Sequence, residues 1–322
     1  MGEATIGYSG ELLVSHLAGY GLLAALERAC VGATLRHSSE SLTFEPVIEF
    51  DGDDGLAARA IRESAVEAEE AVEADREPGR PLIWARHSLG GDSSLAAQVL
   101  RRREELLAEA ERSGAVLTAR LLSGLGAPAA WGSDQLKPSA GATALDGVMG
   151  NSTSDLVRGV LRPARAAAAT VSAAQLEASW AGNGSDVPQD KTGWAPPGTR
   201  VALFDQWLAA LGLSLFPVAH RQFQRSATPA FWNRKGGHYG VTLPIFSEPV
   251  TLPKLHAVLS LDALARVGDG TWNDDHAELL AAAALLRQLG ARETVSFARL
   301  MSRGAGTSVA FTFKRGSRFE LP

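Results

Sequence analysis

Thr294-Val295-Ser296-Phe297-Ala298 and Val309-Ala310-Phe311-Thr312-Phe313 put a large apolar side chain at every second position. A period of two sends successive side chains to opposite faces, which suits a strand and not a helix. Gly304 and Gly306 lie between the two runs and supply a turn, so the segment predicts a closing antiparallel hairpin. Most other apolar segments of the chain repeat every three to four residues. A helix-rich chain that closes on a hairpin reads as α+β: mixed helices and short antiparallel sheets, with an N-terminal α/β region and a C-terminal α+β region.

Upstream of the hairpin, Asp275 to Leu289 and Leu252 to Leu259 predict helices, and Tyr239 to Ile245 a strand. Val201 to Leu211 reads as a helix and Leu213 to Val218 as a strand. Nearer the N-terminus, Thr5 to Tyr8, Thr34 to Arg36, Leu42 to Phe50 and Pro81 to Trp84 suit strands, with Ser38 to Ser41 as a turn. Helices are expected over Glu11 to Ala29, with Leu13, Leu17, Tyr20 and Ala24 on one face, and over Leu56 to Arg76. Another spans Ser93 to Arg112 behind an Asp92 cap, and Ser152 to Trp180 is mostly helical. Ala181 to Arg200 is rich in Gly, Pro, Asn and Asp, and predicts a linker or long surface loop. The expected division is residues 1–180, a linker at 181–200, and a basic α+β region at 201–322.

The chain has 322 residues, 45% hydrophobic and 21% charged, which fits a soluble globular protein of one large or two ordinary domains. No uninterrupted membrane span and no secretory signal is visible. Cys30 is the lone cysteine, which excludes an intrachain disulfide and a cysteine-based zinc site. A cytoplasmic location is expected, with no membrane partner and no cofactor.

Charge is distributed unevenly. The whole chain has a net charge of -5, yet residues 201–322 hold 13 basic and 9 acidic side chains. From Gln206 to Ser247 there is no Asp or Glu at all. Within that window stand Arg221, Arg225, Arg234 and Lys235, interleaved with Phe223, Phe231, Trp232 and Tyr239, and followed by Gly236-Gly237. A second acid-free window, Thr294 to Phe319, carries Arg299, Arg303, Lys314, Arg315 and Arg318. Basic groups neutralise phosphates, and aromatic faces stack on unpaired bases. If the two windows lie side by side they form one basic surface; the plainer reading of the second is a charged edge strand. Trp232 is open between a core anchor and a stacking group, and Asn233 beside it is a candidate for a base edge.

Other chemistry is sparse. Arg86-His87-Ser88-Leu89-Gly90 resembles the nucleophile elbow of α/β-hydrolases, with Ser88 as nucleophile and Asp262 or Asp269 with His276 completing a triad. Arg86 occupies the position where that elbow needs a glycine. Asp51 to Gly55 resembles part of a calcium loop but lacks the full ligand series, so it reads as a turn and helix cap. Asp274-Asp275-His276 reads as a helix start before a metal site. No phosphate-binding loop, dinucleotide fingerprint or nuclease carboxylate set is present.

Three segments carry a family resemblance. Ser15-His16-Leu17-Ala18-Gly19-Tyr20-Gly21-Leu22-Leu23-Ala24-Ala25-Leu26-Glu27 resembles the opening helix of the large subunit of type I CRISPR–Cas effector complexes (Cascade), most like the type I-U/I-G branch. Trp207 to Val218 is similar to that family's helix-to-strand signature, and Leu243-Pro244-Ile245-Phe246-Ser247-Glu248-Pro249-Val250 to the apolar segment that follows it. The resemblance covers order and spacing along most of the chain. It implies a non-catalytic role in RNA-guided antiviral defence: a subunit at one end of a crRNA-guided complex that helps read a motif flanking the target DNA and recruits a helicase-nuclease. The implied partners are crRNA, target DNA, the other Cascade subunits and that helicase-nuclease. At 322 residues the chain is short for the family and shows no clear C-terminal four-helix bundle, so a small-subunit-like part is either missing or supplied by another protein. No position matches specifically enough to name the motif-reading residue. The alternatives are an esterase using Ser88 and a non-enzymatic scaffold protein.

Overall fold

The computed structural model describes residues 2–38, 44–77, 80, 81, 83, 93–125, 157–181, 188–190, 192–217, 219–221, 225–227, 229–234, 238–269, 276–303 and 309–322. Strand β1 (Gly2–Thr5) leads into helix α1 (Leu13–Arg28), then β2 (Ala33–His37) and β3 (Pro46–Phe50). β3 lies between the other two and is antiparallel to both, giving the order β1-β3-β2. The N-terminal sheet is therefore antiparallel, and the α+β description extends to this half as well.

Helix α1 departs from the expected one-sided pattern, because Leu13 through Leu26 are all buried. An apolar helix with no polar face belongs in a core. Helices α2 (Asp54–Glu67) and α3 (Glu69–Glu73) take the place of one expected helix, broken at Ala68. Asp53 caps α2, its side chain accepting from the Leu56 amide at 2.9 Å, so the calcium-like turn is a helix cap. Short β4 (Asp75–Glu77) and β5 (Arg80–Pro81) precede α4 (Ser93–Ser113) and α5 (Val116–Leu125). After a π-helical turn at Val157–Leu161 come α6 (Arg162–Ala168) and α7 (Ala173–Trp180); Ser172 and Gln175 form a capping box on α7.

Residues 188–190 and 192–200 of the expected linker are packed into the body. Trp194 is fully buried, its carbonyl accepts from the Val14 amide at 3.1 Å, and the Gly193 carbonyl accepts from Phe313 at 3.0 Å. Asp190 organises this segment by accepting from Thr192 and from the Ala195 amide. A single hydrophobic cluster runs from Ala4 to Leu321, with no break at the anticipated boundary.

Helix α8 (Leu203–Leu213) is buried along nearly all its length and crosses α1. Glycines set the crossing. A Cβ on Gly21 would lie 1.8 Å from the Leu208 carbonyl oxygen, and one on Gly212 would lie 1.9 Å from that of Leu17. Two of the segments that carry the family resemblance thus pack against each other through glycine. Ser214 to Phe216 continue in turns, so the strand expected at Leu213 to Val218 does not form there. The apolar run that suggested it is the buried end of α8, with Leu213, Leu215 and Phe216 in the core.

The C-terminal part contributes β6 (Ala219–Arg221), β7 (Arg225–Ala227), β8 (Phe231–Arg234) and β9 (His238–Phe246). Helices α9 (Leu252–Leu259), α10 (Asp262–Asp269) and α11 (His276–Gln288) follow, then β10 (Ala291–Arg303), β11 (Val309–Phe313) and β12 (Ser317–Glu320). The expected closing hairpin is β10–β11. It belongs to a five-stranded antiparallel sheet of order β11-β10-β9-β8, with β12 continuing β11 along the same edge of β10.

Candidate nucleic-acid interface

β10 is the strand that unites the two acid-free windows. It pairs with β9 from Ala291 opposite Phe246 to Ala298 opposite Gly240, and there the sheet forks. β9 continues against β8 as far as His238, opposite Arg234. β10 continues against β11, from Arg299 opposite Phe313 to Arg303 opposite Val309. Both hairpins therefore turn at the same end of one sheet. At about 3.3 Å per residue, β10 carries Arg303 about 16 Å beyond the fork.

The sequence-predicted residues separate into three groups. Arg234, Arg299 and Arg303, with Asn233 opposite Tyr239, stand on the two prongs. Arg221 and Arg225 oppose each other on the separate β6–β7 hairpin. Like charges placed opposite each other in an antiparallel pair are unfavourable unless an anion meets them. Lys314, Arg315 and Arg318 lie toward the base, where Arg318 is opposite Val295. Lys235 and Phe223 fall outside the described residues.

Three members of the set have other roles. Trp232 is only 8% exposed. Its indole N–H donates to Thr242 Oγ1 at 3.1 Å, its ring fills the space left by Gly240, and the Thr242–indole pair fills that left by Gly268. It is a core anchor, with no open face on which a base could stack. Arg318 pairs with Glu293 and lies 5.3 Å from the centre of the Phe44 ring, and Arg315 pairs with Glu11 at 2.7 Å. The second window is acid-free along the chain, but folding brings Glu11 and Glu293 to its base. Along β10, Arg303 lies ten residues beyond Glu293.

Two buried polar centres were not foreseen. At the junction of the sheets, His37 Nδ1 accepts from the Phe246 amide at 3.1 Å, and the His16–His37 contact between Nδ1 and Nε2 is 3.2 Å. His16 Nε2 lies 2.7 Å from the Gly10 carbonyl oxygen, which can only accept. Both rings must then carry their proton on Nε2, and the bonds run one way: Phe246 to His37 to His16 to Gly10. Burial holds His16 at about 4 and His37 well below its ordinary value. The sequence signal was His37 sharing the inward face of β2 with Ala33 and Leu35, and His16 within an apolar helix.

The second centre is Asp205, in the first turn of α8. It accepts from the Tyr8 hydroxyl at 2.9 Å, Ser179 at 3.1 Å and the Trp180 indole at 3.3 Å. Burial raises its carboxyl to about 6 against the lowering effect of those donors. A lone acid entering an apolar helix was the signal.

Ser88 and Asp92 lie outside the described residues. His276 is exposed at the first residue of α11, and Asp262 is exposed at the first residue of α10. Among the described residues, no cluster of three or more His, Cys, Asp or Glu side chains could hold a metal ion. Among them, too, no helix is long and apolar enough to cross a membrane. No protein-family model matches this chain, and no curated protein matches it.

Proposed function

We propose that this chain is a non-catalytic subunit of a crRNA-guided antiviral complex, contacting target DNA beside its flanking motif with the forked end of the five-stranded sheet. The observation that supports this reading is the meeting of both acid-free windows at that end, with Arg234 on one prong and Arg299 and Arg303 on the other. Arginines on the prongs would neutralise backbone phosphates, while base pairing with the guide reads the target sequence. The opposed Arg221 and Arg225 would gain from an anion between them. Recruitment of the helicase-nuclease belongs to the same proposal and would use another surface.

The test is target-DNA affinity of the assembled complex at several salt concentrations, with the double variant Arg234→Ala/Arg303→Ala. Each phosphate contact contributes about 0.9 to the slope of log affinity against log salt on duplex DNA. The double variant should weaken binding and flatten that slope by about 2. An unchanged affinity and slope would sink the proposal.

A further inference from the structure

Helices α4 and α5 fold back on each other through Gly114, which adopts a φ of +70°. Between them lies an open groove of about 620 Å³. Its floor is apolar: Leu107 and Ala108 from α4, Val116 and Ala119 from α5. Val116 is 45% exposed, one of the few large apolar side chains so open to solvent among the described residues.

The rim is acidic in a specific way. Glu104 and Glu111 both line the groove and are both exposed. They are seven residues apart on α4, so they stand on one face about 10 Å from each other, with Leu107 and Ala108 between them. The other carboxylates of α4 are neutralised: Glu105 by Arg102 and Glu109 by Arg112. Among the described residues, the two on the rim have no ion-pair partner. Arg103 feels Glu104, but it is buried and its Nε donates to the Leu122 carbonyl at 3.0 Å. Paired charges therefore cover the parts of α4 away from the groove, while unpaired carboxylates flank its apolar floor.

We infer that this groove docks a basic amphipathic helix of a protein partner. Such a helix would set an apolar side chain over Leu107 and Val116, with Lys or Arg two turns apart against Glu104 and Glu111. This mode of recognition buries an apolar stripe and uses charge to fix register and reject wrong partners. It is independent of the nucleic-acid reading, since the groove lies on other elements.

The probe is a synthetic helical peptide with Lys at positions seven apart and Leu and Ala between them. Its control carries Glu in place of each Lys. The full-length chain is titrated with each and followed by fluorescence anisotropy. The basic peptide should bind saturably, and about three- to tenfold more weakly to Glu104→Gln/Glu111→Gln, in keeping with two exposed ion pairs. Val116→Asp should abolish binding, and the acidic peptide should not bind. All three positions are exposed, so the variants should keep the parent's circular dichroism and melting temperature. Equal binding of both peptides, unchanged affinity in the variants, or no saturable binding would overturn the inference.

Discussion

The joint between the two sheets and the fork at the far end of the C-terminal sheet are built on opposite terms. At the joint, α1 and α8 touch through glycine, two neutral histidines pass hydrogen bonds in one direction, and Leu35 and Val250 exchange backbone bonds at 2.8 Å each way. Both histidine rings there have fixed partners on each nitrogen, although the buried Tyr20 hydroxyl has none among the described residues. At the fork, strands leave the common sheet in two ribbons, and their basic positions fall in the acid-free windows of the sequence. One region determines the shape, and under the proposed function the other would present charge to a partner. Substitutions should divide accordingly, stability responding at the joint and affinity at the fork.

The largest effect is expected from Gly212→Ala. Its methyl would sit 1.9 Å from a backbone oxygen, so the helices must separate instead of merely repacking side chains. A loss above about 3 kcal/mol is expected from the shift in the denaturant midpoint. A loss under about 1 kcal/mol would show that the crossing can relax, and the contrast with the fork would weaken.

The next effect is a pH dependence. The folded pKa values of both histidines are depressed, so the unfolded chain binds protons first as pH falls. Their stabilisation is full above about 6.5 and declines as pH falls below it, being lost toward about 4 for His16. Asp205 acts in the opposite direction: its folded value is raised to about 6, so acidification through that range favours the folded form. His256 is also lowered and Asp190 also raised, so the histidines still outnumber the aspartates and a net loss of stability is expected between pH 7 and pH 5. Urea unfolding at the two pH values measures it, and His37→Gln should flatten the dependence. An equally steep profile in that variant would remove the histidine pair from the explanation.

The smallest effect on stability is expected at the prongs. Arg234→Ala and Arg303→Ala should each change the unfolding free energy by less than about 0.5 kcal/mol, the usual range for surface substitutions. A loss of 2 kcal/mol at either would mean that the prongs belong to the framework after all.

Periodicity alone was enough to read much of the fold. Leu252–Leu259 emerged with the expected ends, and the Val295/Phe297 and Val309/Phe313 alternation marked the hairpin. Spacing says which residues share a face, but not whether the opposite face is also covered. For that reason α1 looked one-sided and is buried all round, and 181–200 looked like a linker although Trp194 is in the core. The candidate site was legible as charge, since the windows are a property of the chain. Its three-way division was not, because the carboxylates that meet Arg315 and Arg318 come from Glu11 and from Glu293, just before the window. Trp232 needed knowledge of Gly268, 36 residues away, to be recognised as a core anchor.

The crossing of Gly21 and Gly212 constrains how this sequence can drift. Each glycine faces the other helix's backbone, so neither position can acquire a side chain first, and no change at one prepares the other. Leucines and alanines around them can exchange freely at constant volume. A remote relative of this chain could therefore lose every apolar word of resemblance and still keep two glycines, one on each of two buried helices, at the point where they meet.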